Sequence, residues 1–354
     1  MRSRFSPHLF AARCGLITAC LTASPWILVA CGTSTERGVT PAEVAQTKRS
    51  LQVIETLKGR AEIGDIDAML ELASRYYDGR GVESSPVEAS RWFRMAAEAG
   101  DASAQYSMGV LYEQGDGLAR DVERAAYWYA KASEQQHPQA MNNLGLILFE
   151  ERSVARNDEE ALRLLQGAAD AGMLPSMTAV GRMRSAGRGV EQDLESAADH
   201  FRRAAERNYA PAQFFLAAAY LRGDGVPQDE ALAFEWLEKS AGQGYPESQA
   251  QLGSMLARGT ETLPVDPARA ASLLTDAANA GIPSAQRNLG LLYFKGLGVE
   301  QDKQAALMWY EISARLGDSA AQERRDLLRE TMAEAELANV AASVDAWFDQ
   351  RQTR

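Results

Sequence analysis

Hydrophobic and polar positions follow a helical period along this chain, and the pattern restarts at a fixed interval. Apolar stretches such as Met108 to Tyr112 and Leu289 to Phe294 run into glycine-rich turns, and a second apolar stretch follows each turn. Small and aliphatic residues recurring every three to five positions, bounded by glycines, predict paired amphipathic helices rather than strands. The interval is read from the turn residues. Gly64, Gly100, Gln136, Gly172, Asn208 and Gly244 are each 36 residues apart; a 37-residue step leads to Gly281 and a 36-residue step to Gly317. Seven units therefore tile residues 65–317, as 65–100, 101–136, 137–172, 173–208, 209–244, 245–281 and 282–317. A period in this range marks a repeat array.

The same residue types recur inside each unit. A small residue comes early (Ala68, Ala104, Ala140, Ser176, Ala212, Ser248, Ala285), and Gly or Ala follows five residues on (Ala73, Gly109, Gly145, Gly181, Ala217, Gly253, Gly290). A Gly-x-Gly-Val loop begins at Gly79, Gly187, Gly223 and Gly296, with Gly115 to Leu118 a variant. Asp121, Asp193, Asp229, Asp266 and Asp302 come after that turn, then a common alanine (Ala89, Ala125, Ala161, Ala197, Ala233, Ala270, Ala306). Trp92, Trp128, Trp236 and Trp309 stand three residues beyond it. The expected unit is a helix, a glycine turn that caps it, an Asp-capped second helix and a short turn. Small residues let the two backbones approach, with Trp or Leu filling the space between pairs. One hairpin cannot bury its apolar face alone, so the units must stack into an all-α solenoid.

The stretches Ala104 to Gly115, Ala125 to Ala132 and Asn288 to Val299 resemble the Sel-one-like repeat family, relatives of tetratricopeptide repeats. The resemblance implies a right-handed superhelical α-solenoid of helix-turn-helix repeats that binds proteins. Unit three departs from the pattern with Glu151-Arg152-Ser153-Val154 in place of the glycine loop, and unit six with Gly259 to Pro264 and an extra residue. Either the superhelix bends or meets a partner there, or the loops have drifted on a tolerant surface. Residues 46–64 read as an N-terminal capping helix and 318–354 as C-terminal capping helices, because a solenoid must close its exposed core.

The start of the chain reads differently. Arg2, Arg4 and Arg13 precede an apolar stretch ending at Leu28-Val29-Ala30-Cys31-Gly32. A basic start and a short apolar run are the layout of a secretory signal peptide, and Ser24-Pro25 interrupts it as a membrane span. The ending resembles the lipobox of bacterial lipoproteins. That resemblance implies a signal peptide over residues 1–30, a lipid on Cys31, and an outer-membrane protein facing the periplasm, since Gly32 is not the Asp that retains such proteins at the inner membrane. Residues 31–45, rich in Thr, Ser, Gly and Glu, are expected to form a flexible tether. Cys14 and Cys20 would leave with the signal, so Cys31 would be the one cysteine of the mature chain.

Composition narrows the function. Of 354 residues, 46% are hydrophobic and 24% charged, which excludes wholesale disorder. The formal net charge of −11 argues against a nucleic-acid partner. No metal-ligand cluster, phosphate loop or nucleophile motif occurs, and the Gly-Asp-Gly loops at 115–117 and 223–225 lack the spaced carboxylates of a calcium loop. His137 precedes Pro138 in an inter-unit turn, and His200 stands where other units place Trp, so His200 reads as a packing residue. Neither a catalytic constellation nor a cofactor or metal is expected.

Binding is the better expectation. Three, six, ten and thirteen residues after each inter-unit turn the first helix presents the side opposite its packed stripe. That side holds Leu70, Tyr77, Tyr106, Val110, Asn142, Leu146, Phe149, Arg182, Phe214, Leu221, Arg287, Leu291 and Phe294. Related repeats line their concave face with this side. Aromatics with sparse Arg are the composition of interface hot spots. The strip is therefore either an open groove for an envelope protein or peptide, or a seam that neighbouring first helices bury. The expected role is a non-enzymatic, lipid-anchored scaffold in a cell-envelope, secretion or polysaccharide-export complex. The alternative, a peptidoglycan enzyme or a regulator of one, calls for apposed carboxylates in the groove.

Overall fold

A computed structural model describes residues 41–150, 157–260 and 263–352. Among them it contains helices and no strands. The chain divides at Lys48–Arg49, and the architecture below is that of the larger part, Arg49–Arg354. Helix α1 spans Pro41–Glu62, so residues 41–45, expected as tether, are helical. Proline at a first helical turn loses no bonded N–H, and Ala42 to Gln46 contain no breaker to delay the start. The expected signal peptide, Cys31 and the rest of the tether lie outside the described residues, as does the departing loop of unit three.

Seven helix pairs follow. They are α2 (Ile66–Asp78) with α3 (Pro86–Glu98), α4 (Ala102–Gln114) with α5 (Val122–Glu134), and α6 (Pro138–Glu150) with α7 (Asp158–Asp170). Next come α8 (Leu174–Ala186) with α9 (Leu194–Ala205), and α10 (Ala210–Arg222) with α11 (Glu230–Gly242). The last two are α12 (Pro246–Arg258) with α13 (Pro267–Ala280), and α14 (Pro283–Lys295) with α15 (Lys303–Arg315). Each helix packs mainly on its neighbours in the chain. That is the packing of an α-solenoid.

The caps form as the sequence predicts. Asp121, Asp193, Asp229, Asp266 and Asp302 each accept the backbone N–H three residues on, at 2.9–3.1 Å. The first loop glycine closes α2, α4, α8, α10 and α14 in the left-handed conformation, as at Gly115 and Gly223. The turn between units needs that conformation too. Gln136 and Asn208 adopt it without being glycine, at φ 58° and 62°, which is why the register survives where glycine does not.

Inside a unit, the side chain that fills the gap between the paired helices comes four residues after the common alanine, one past the Trp position. A Cβ on Gly109 would stand 2.4 Å from the Tyr129 ring, and one on Gly181 2.6 Å from Phe201. The glycine is thus the socket and the large residue its plug. Trp92 and Trp309 are buried beside it, whereas Trp128 and Trp236 are only half-buried.

Between units the joints are partly polar. Gln105, Gln213 and Gln286 are buried, and each Nε2 donates to a carbonyl of the preceding second helix, Ala97, Ala205 or Ala278, at 3.1–3.2 Å. The last pair is closed by α16 (Ser319–Arg329) and α17 (Glu334–Gln352). Val340 and Val344 are buried, and Arg351 donates from α17 to the Asn279 carbonyl at 2.7 Å. Glu311 on α15 is buried and paired with Arg325 and Arg329 of α16, so the cap is held by charge as well as by apolar contact.

Candidate functional site

The first helices form one layer in which successive members touch at α4–α6, α6–α8, α8–α10 and α12–α14. All thirteen predicted face residues lie on this layer, but the structure treats them unequally. Asn142 and Phe149 are buried, at 6% and 4% exposure. They are corrected here from groove residues to joints between units. Ser176 of the next unit donates to Asn142 Oδ1 at 2.7 Å. Phe149 is covered by two guanidinium groups of that unit, Arg182 at 5.0 Å and Arg188 at 4.1 Å from its ring centroid. Arg188 also donates to the Phe149 carbonyl and pairs with Asp158, both at 2.7–2.8 Å.

Arg182 is itself exposed, and its guanidinium lies 5.5 Å from the Phe215 ring on the far side. Phe215 stacks on Phe201 at 5.3 Å and meets Phe214 at 5.4 Å; Phe214 meets Tyr245 at 5.7 Å. A continuous chain of rings and one arginine therefore crosses units three to six. Sequence reasoning placed Phe149, Arg182 and Phe214 on this face and missed Phe215 and Tyr245. Phe215 stands one position off the predicted stripe, and Tyr245 is the residue just before α12. Burial pushes the Tyr245 phenol up to about 12, and the Glu247 carboxylate pushes the same way.

The chain of rings leads to a pocket of about 450 Å³ between α10, α12 and α14. Phe214, Ile282 and Leu291 supply its apolar wall; Gln251, Ser254 and Asn288 supply hydrogen-bonding groups; Glu247, Arg258 and Arg287 supply charge. Asn288 donates to Ser254 Oγ at 2.7 Å, and Arg287 pairs with Asp318 at 2.6 Å, so these three polar groups are held in place. Arg258 is exposed at the rim. A concave site of this size with an apolar wall and a few fixed polar groups suits one or two side chains of a bound segment. Three predicted residues, Phe214, Arg287 and Leu291, come together here. Leu221 and Phe294 lie at the ends of α10 and α14, where Gln228 and Gln301 fix their carbonyls at 3.0 and 2.8 Å.

The other predicted residues sit nearer the chain's start. Tyr106 is half-buried, stacked on His137 at 5.0 Å and tilted against Tyr129 at 5.8 Å. Burial, and then the Asp116 carboxylate, hold the Tyr77 phenol up at about 12. Leu70, Val110 and Leu146 are half-buried along the same layer. His200 is buried, as its place at a Trp position implies, with Nδ1 2.8 Å from the Ser196 carbonyl oxygen. Among the described residues no group of three or more His, Cys, Asp or Glu is placed to hold a metal, and no helix is long and apolar enough to cross a membrane.

Comparison with known proteins bears on this layer. The family model described as the Sel1 repeat matches seven consecutive stretches, residues 66–101, 102–137, 138–173, 174–209, 210–245, 246–282 and 283–318. They run one residue later than the sequence-derived units. Among solved structures, a Sel1 repeat protein from Oxalobacter formigenes is 33% identical, with a TM-score of 0.66, covering 80% of this chain and 81% of its own. A protective antigen present in uropathogenic Escherichia coli strains, displaying an SLR fold, is 25% identical with a TM-score of 0.59, covering 86% of this chain and 84% of its own. No curated protein matches the chain.

Proposed function

We propose that this chain, which belongs to the Sel1 repeat family, holds a protein partner against its first-helix layer. Proteins of that family generally act as interaction scaffolds and are generally non-catalytic. The observation that carries the proposal is the chain of rings from Phe149 to Tyr245, which ends at the pocket beside Phe214 and Leu291. Anchoring aromatics next to a preformed concavity are where binding energy concentrates in interfaces. The rest of the layer excludes water around them.

The proposal extends to place. The lipobox-like Leu28 to Gly32 supports a lipid on Cys31, an anchor of several acyl chains at about 0.8 kcal/mol per buried methylene, and a position on the periplasmic side of an outer membrane. The array would then work as a tethered scaffold within an envelope, secretion or polysaccharide-export complex. Two experiments test the two parts. Radiolabelled palmitate should enter the wild type and not Cys31→Ala; label in both contradicts the anchor. Affinity capture from native envelopes should recover a partner with the wild type and lose it with Phe214→Ala plus Leu291→Ala, circular dichroism being unchanged. Undiminished capture by that double variant contradicts the binding face.

A further inference from the structure

We propose that the first-helix face of the last four units takes an acidic protein segment, seating an apolar side chain at Phe214 and Leu291 and setting carboxylates beside Arg182 and Arg258. This rests on the first-helix layer being the binding face and adds the chemistry of what it binds.

Charge along that layer changes sign. Helices α2, α4 and α6 carry five acidic residues and one basic. Helices α8, α10, α12 and α14 carry Arg182, Arg184, Arg222, Arg258, Arg287 and Lys295 against Glu247 alone. The second helices of those same units are nearly balanced, with seven acidic and six basic residues. The first helices of the last four units are thus cationic in a chain whose net charge is −11. Composition alone would not produce that segregation.

Two of the cations are already occupied, Arg222 with Asp224 at 2.5 Å and Arg287 with Asp318 at 2.6 Å. Arg182 and Arg258 are exposed and have no carboxylate within ion-pair distance among the described residues. Arg182 is held between the Phe149 and Phe215 rings, so little side-chain freedom remains to be lost when a carboxylate binds. Arg258 lines the same pocket as Phe214 and Leu291. Tyr245 lies within electrostatic reach of Arg182 and against Phe214 of the pocket wall. Two carboxylates flanking an apolar side chain match this arrangement.

The test is fluorescence anisotropy with the full-length chain and three labelled twelve-residue peptides sharing the same Leu and Phe positions. One carries Asp and Glu between them, the second Asn and Gln, the third Lys. At about 50 mM salt the acidic peptide should bind about tenfold more tightly than the amide peptide and the Lys peptide least. The advantage should vanish near 1 M salt, where the Debye length falls to about 3 Å. Arg182→Glu with Arg258→Glu should abolish the advantage, the milder Arg182→Gln with Arg258→Gln should reduce it severalfold, and Glu71→Gln should leave it unchanged. Equal binding of acidic and amide peptides, lost in Phe214→Ala, overturns the charge inference and leaves the binding face standing. Binding of none of the three overturns the inference as well, while the binding face is judged by envelope capture.

Discussion

Gly225 lies so close to Leu194 that a Cβ on it would stand 2.0 Å from the Leu194 carbonyl oxygen. The second glycine of the loop is therefore a joint: it lets the turn after α10 press on the first turn of α9 in the preceding unit. Gly117, Gly189 and Gly298 meet Pro86, Asp158 and Pro267 in the same way.

Gly225→Ala should accordingly destabilise the array by roughly 3 kcal/mol, combining left-handed strain of about 1–2 kcal/mol with a backbone clash. Gly244→Ala isolates the first part, since Gly244 has a similar φ of 80° but nothing within 4 Å of the added carbon. It should cost about 1 kcal/mol. Denaturant unfolding of both variants measures the difference, and equal losses would refute the role of the close approach.

Phe149 and Phe294 occupy equivalent positions thirteen residues after their turns, yet one is 4% exposed and the other 41%. Phe149→Ala should cost about 3–5 kcal/mol, whereas Phe294→Ala should stay within about 0.5 kcal/mol. Thermal unfolding compares them. Similar losses would mean that Phe149 is not a joint between units.

Much of this architecture was legible in the chain. Small residues, glycine turns and capping aspartates are local requirements, so they recur at fixed spacing and can be counted. The purpose of the second loop glycine was not legible, because the atom it avoids belongs to the previous unit. Gln105, Gln213 and Gln286 were overlooked for the same reason, although glutamine recurring at one position of four units, Gln249 included, was a signal. Phe149 shows where a periodic reading stops. Its position predicts the inner face, but Arg182 and Arg188 of the next unit decide whether it is open. The lipobox reading rests on sequence alone.

His137 gives a pH dependence whose sign follows from its surroundings. Burial against Tyr106 holds its pKa below the ordinary value of 6.5, with Asp101 opposing more weakly. The Ala140 N–H also donates to Nδ1 at 3.4 Å, which needs the neutral ring. Stability from this group is fully present above about pH 6.5, begins to fall as the unfolded chain takes up the proton, and is lost through the depressed folded pKa. Thermal unfolding between about pH 7.5 and pH 5 should therefore show a larger drop in the wild type than in His137→Asn. Identical drops would remove His137 from the account.

The most direct test of the binding face is site-specific photocrosslinking in intact cells. A benzophenone amino acid would replace Phe294 on the first-helix layer, and Tyr127, 56% exposed on second helix α5, in a separate variant. The predicted result is an adduct of one defined mass from position 294, absent when Phe214→Ala and Leu291→Ala are added, and none from position 127. Adducts from position 127 alone, or an adduct at 294 indifferent to the pocket substitutions, would contradict the assignment of the first-helix layer as the face that binds.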